Sequence, residues 1–163
     1  MELKELMHAF AAKLGIADIE VRDGTCSLEI DGIPVEILET PDGSHLVASA
    51  AIGTPPLEKT EDFLRMILEA NVELFGRSSI VFGKLPGESD LVLQWQLPAQ
   101  GIDLESFCTK LGAFMNNVEQ WRRVLEDFGS ATDEVAIMEE EASVLSSSAS
   151  DAIYGDLSGF MQV

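Results

Sequence analysis

Positive charge is scarce in this chain. Its 163 residues hold 10 Lys and Arg against 29 Asp and Glu, a formal net charge of -19. A surface of that sign repels phosphate backbones and anionic headgroups, which argues against nucleic acid or membrane as direct partners. Long apolar runs are missing too, and nothing approaches the ~20 residues that span a bilayer. The first fifteen residues mix Glu2 and Glu5 with their lysines and repeat apolar residues at helical spacing, so the expectation is a cytoplasmic protein without a secretory leader. Cysteine is limited to Cys26 and Cys108. They lie far apart and outside any CxxC pair, and read as reduced, buried small hydrophobes.

Signatures of chemistry are equally sparse. His8 and His45 have no Cys, His or acidic neighbour at metal-ligand spacing. GxSxG, HExxH and a phosphate-cradling GxxxxGK[ST] do not occur. Glu139-Glu140-Glu141 lacks the alternating oxygen ligands and central glycine of a calcium loop and reads as a solvated charge run. Nothing assembles a nucleophile, a base and an oxyanion donor. The expectation is a binding protein with no catalytic residue, no metal and no cofactor.

What the chain does have is apolar content, 46% of it, enough for one core. Residues 2–14 repeat Leu3, Leu6, Met7, Phe10, Ala11 and Leu14 at helical spacing, and Gly15 stops the helix. Three strands follow. Cys26, Leu28 and Ile30 alternate with polar residues, Asp31-Gly32 turns the chain into Val35 to Ile37, and a turn over residues 41–44 leads to a strand carrying Leu46, Ala48, Ala50 and Ile52 on one face. A second helix runs to Phe75, with Gly76 expected to end it. Two strands, 79–85 and 90–97, are joined by a hairpin, the second placing Leu91, Leu93, Trp95 and Leu97 on one face. A third helix starts at Asp103, a good N-cap, and carries one clean apolar stripe to Phe128. The fold class is α+β, in the order α-β-β-β-α-β-β-α, with helices on a twisted antiparallel sheet over residues 1–128. Residues 129–163 form a Ser/Ala-rich tail with seven acidic residues and no Lys or Arg, leaving -12 for the body. Composition reads as disorder there, but two stretches at helical spacing leave a docked tail open.

The second helix is too greasy for one cover. Leu64, Ile67, Leu68, Asn71 and Phe75 fall on one side, and Phe63, Met66, Ala70 and Leu74 on an adjoining one. A sheet covers one side only. Leaving the other wet forfeits on the order of 10 kcal/mol gross. The expectation is a homodimer across a two-fold axis, using Phe63, Met66, Ile67, Ala70, Asn71, Leu74 and Ile80. The alternative is that the tail or third helix folds over that side.

The stretches LGIADIEVRDGTCSLEID, LVASAAIGTPP, LRMILEANVELFG and DLVLQWQLPAQGIDLESFCTKLGAFMNNVEQWRRVLEDF, in this order and spacing, resemble the type III secretion chaperones of the Tir-chaperone type, small acidic dimers of Gram-negative bacteria. The resemblance implies the helix–strand order above, dimerisation through the second helix and no chemistry. It also implies a client, the N-terminal segment of a secreted effector, wrapped in extended form and able to add a strand to a sheet edge. A second copy and the secretion ATPase are the other partners it suggests. The implied client surface is Leu6, Phe10, Leu28, Ile30, Val35 and Ile37, with a second groove at Phe82, Leu93 and Trp95. A regulator of the same fold, sequestering an activator or anti-activator, is the alternative. The tail is the departure from the family pattern, with Phe160 and Met161 as candidate anchors over the groove.

Overall fold

The computed structural model describes residues 2–155, of which 131–155 by backbone alone. The chain divides into two compact units, residues 1–125 and 126–163.

In the first unit, α1 (Leu3–Leu14) buries Leu3, Leu6, Met7, Phe10 and Ala11. Gly15 caps it in the left-handed region at φ 67°, a conformation that a Cβ would oppose. Strands β1 (Thr25–Ile30), β2 (Ile33–Glu39) and β3 (His45–Gly53) form an antiparallel meander. The β1–β2 turn is Asp31-Gly32, both at positive φ, the two-residue geometry that suits strand twist. A single 3-10 turn, Leu57–Lys59, leads into α2 (Thr60–Ser78), followed by β4 (Ile80–Lys84), β5 (Leu91–Pro98) and α3 (Leu104–Gly155), which continues into the second unit. The spatial order is β1-β2-β3-β5-β4, all neighbours antiparallel.

One sheet face carries Val35, Ile37, Leu46, Ala48, Leu93, Trp95 and Leu97, all buried. Aromatic rings join it to the helices. Trp95 stacks on Phe107 and Phe114 of α3 at 6.5 and 5.9 Å, Phe10 of α1 meets Phe107 edge-on at 5.6 Å, and Phe82 meets Trp121 edge-on at 4.6 Å. Such offset and edge contacts add to what area burial alone supplies. Asp103 caps α3 as its position predicts, its carboxylate accepting from the Ser106 amide and hydroxyl.

One sequence expectation is revised. Gly76 does not end α2, which runs on to Ser78; Ser79 takes the left-handed cap at φ 55° and donates to Phe75 C=O. The chain must turn directly into β4 there, and the Ser78 hydroxyl secures the last turn on Leu74 C=O. The tail is helical in backbone through Gly155; Phe160 and Met161 lie outside the described residues.

Candidate functional site

The two edges of the sheet are finished differently. In β4, Ser79 C=O accepts from Gln96, so alternation turns the N–H and C=O of Phe82 away from β5. Asn71 on α2 takes both. That edge is therefore closed at its centre by a side chain.

The β1 edge is open. The hairpin pair Ile30–Ile33 is hydrogen-bonded, so Leu28 and Cys26 also bond to β2, and Thr25, Ser27 and Glu29 point their N–H and C=O outward. Thr25 is occupied, since it exchanges two backbone bonds with Arg22 at 2.8 and 2.9 Å. Ser27 and Glu29 have no such partner among the described residues. An exposed edge of this kind is a template for another strand.

A groove of about 1150 Å³ lies along that edge. Phe10, Leu14 and Ile16 from the end of α1 form one wall, Cys108, Leu111 and Met115 from α3 another, and Leu28 and Ile30 of β1 the lip. Leu14 and Ile16 are about half exposed, 54% and 52%. Apolar surface left open beside unpaired backbone is what a binding cleft needs. The groove also holds Lys13, Asp18, Glu20, Arg22 and Glu119, with Arg22 on Glu20 at 2.6 Å and Asp18 on His8 at 3.1 Å. Both cysteines line it. Burial pushes the Cys26 thiol up to about 11, with the Glu36 carboxylate adding to the rise and a backbone hydrogen bond at Ile37 opposing it. A thiol in that state is a poor nucleophile.

Of the client residues expected from sequence, the structure brings Phe10, Leu28 and Ile30 to this groove. Leu28 and Ile30 are half-buried. Leu6, Val35, Ile37, Phe82, Leu93 and Trp95 are buried in the core, and the second groove expected at Phe82, Leu93 and Trp95 is filled by α3 rings. Sequence reasoning missed Leu14, Ile16 and Met115 as groove residues. The available signal was a pair of apolar residues flanking the helix-stopping Gly15.

On α2, Phe63 and Ile67 are buried inward and Ile80 lies in the core. Met66, Ala70, Asn71 and Leu74 are half-buried. The uncovered face is rotated from the one named from sequence. It is Leu64, Leu68, Val72 and Phe75, the last three 65%, 78% and 61% exposed.

No group of three or more potential metal ligands occurs among the described residues, and no described helix is long and apolar enough to cross a membrane. Fold and groove define a small α+β protein with an apolar cleft beside the open β1 edge. The chain matches the model of the Tir chaperone protein (CesT) family over residues 5–122 and belongs to that family.

Solved structures carry the same fold at identities too low to carry more. The ExsC–ExsE complex matches with a TM-score of 0.65 at 23% identity, covering 77% of this chain and 97% of that one. The Yersinia pestis type III secretion chaperone SycH, bound to a fragment of YscM2, matches with a TM-score of 0.58 at 23% identity, covering 72% and 98%. The HopA1–SchA chaperone–effector complex matches with a TM-score of 0.63 at 14% identity, covering 74% and 92%. Among curated proteins, none matches.

Proposed function

We propose that this protein is a cytoplasmic chaperone that holds the N-terminal segment of a type III secreted effector in extended form on the β1 edge, keeping it soluble and competent for export. The observation that carries this reading is the open backbone of Ser27 and Glu29 beside an apolar groove. Membership of the CesT family supports it. The client's backbone completes the sheet, which gives affinity with little dependence on sequence, and its alternate side chains enter the groove. No step of chemistry is involved.

The working unit in this reading is a homodimer, assembled on Leu64, Leu68, Val72 and Phe75 of α2. Four large apolar side chains on one exposed helical stripe are costly to leave in water. The α2 faces of two copies cover each other across a two-fold axis. The test is co-expression with the products of adjacent genes, followed by capture and by assay of whether the captured partner is itself exported. An exported partner, lost on Leu28→Asp, is the expected outcome. A captured partner that stays inside the cell overturns the escort role.

A further inference from the structure

We infer that the segment held on β1 is a cationic amphipathic strand, with apolar side chains entering the groove and Lys or Arg at the alternate positions, against Glu29 and Glu36. This rests on the client-groove reading above and adds the chemistry of the client.

Geometry fixes which client positions meet which face. Residues opposite Ser27 and Glu29 in an added strand share their side of the sheet, and the residues between point into the groove with Leu28 and Ile30. The side shared with Ser27 and Glu29 is the outer face, where both are exposed. Directly across the β1–β2 ladder, Glu36 pairs with Ser27 and Pro34 with Glu29, and both are exposed as well. The ledge beside an added strand therefore carries two carboxylates, a hydroxyl and a proline. Neither Glu29 nor Glu36 is in an ion pair among the described residues.

The strands that form that ledge carry no fixed positive charge of their own. Residues 25–53, the whole three-strand meander, contain no Lys or Arg. The cations nearest the groove are Lys13, on the α1 side, and Arg22, which is held by Glu20. A client Glu or Asp opposite Glu29 would meet like charge at cross-strand distance, and a client Lys or Arg opposite charge. Cross-strand charge pairs of this kind discriminate between partners more than they add raw affinity.

The probes are three synthetic peptides of about nine residues, longer than a ~5–6-residue strand, with alternating apolar positions and Lys, Gln or Glu between them. Their affinities for the full-length protein are measured by fluorescence anisotropy. The expected order is Lys tighter than Gln tighter than Glu, each step roughly threefold to tenfold at low salt and smaller at high salt. Glu29→Lys is expected to erase or invert the order. Glu88→Lys, on the β4–β5 turn at the far side of the sheet and matched in net charge, is expected to keep it. An order that survives Glu29→Lys, or three equal affinities, would overturn the inference while leaving the groove reading standing. Failure of all three peptides to bind would overturn both.

Discussion

Asn71 seals the strand edge at Phe82: its Oδ1 accepts the Phe82 N–H at 2.6 Å, and its Nδ2 donates to the Phe82 carbonyl at 3.5 Å. One amide thus mimics a short piece of neighbouring strand, and it ties α2 to the sheet. The opposite edge, at Ser27 and Glu29, has no such plug among the described residues. In the proposed reading, that asymmetry directs strand addition to β1.

Asn71→Ala should therefore lower stability by roughly 1–3 kcal/mol, because the two Phe82 backbone groups lose their partner. A urea titration reads this as a lower midpoint at unchanged slope. An unmoved midpoint would mean that water or another group serves Phe82 equally well.

Leu68→Asp should separate the proposed dimer and leave the single-chain fold intact. Leu68 is exposed in one copy, so the change costs the lone chain little. Sedimentation equilibrium should report the mass of one chain with far-UV helicity retained. Ile67→Asp, one residue away and buried, should unfold the protein outright.

Groove and core substitutions should also part company. Leu28→Asp, at a half-buried lip position, should abolish client capture and keep a cooperative melt. Ile37→Asp, fully buried on the neighbouring strand, should abolish the melt itself. Loss of both properties in both variants would place Leu28 in the core.

The thiols offer a pH-dependent check. Cys26 is buried, with its pKa raised from 9.0 to about 11, whereas Cys108 is half-buried. At pH 8 a thiol reagent should label Cys108 first and Cys26 slowly. Because the folded state holds the Cys26 proton more tightly than the unfolded chain does, its contribution to stability is complete below pH 9 and fades as pH rises towards 11. Bound client should slow labelling of Cys108, which lines the groove.

Much of this architecture was legible in the amino acids. Alternation in the strands, the Asp31-Gly32 turn and the Gly15 stop placed most elements, because each rests on local backbone physics. Sequence did not say which apolar side chains would stay open. Leu28 and Ile37 both face the helices, but β1 is an edge strand and β2 an inner one, and strand order depends on long-range pairing such as β3 with β5. The outer face of α2 was blurred for the same reason. Leu64 and Ile67 sit close together on a helical wheel, yet in the fold, where α2 packs against β4, Ile67 is buried and Leu64 exposed.

The central claim is that a client's backbone completes the sheet at β1, and amide hydrogen exchange at Ser27 and Glu29 tests it most directly. In the free protein both amides should exchange quickly, as open edge groups do. With the captured client bound, both should slow by at least about tenfold, the protection a net gain of ~1.4 kcal/mol gives, while Leu28 is already protected by β2 in either state. Client binding that leaves Ser27 and Glu29 fast, and protects amides elsewhere, would contradict the account.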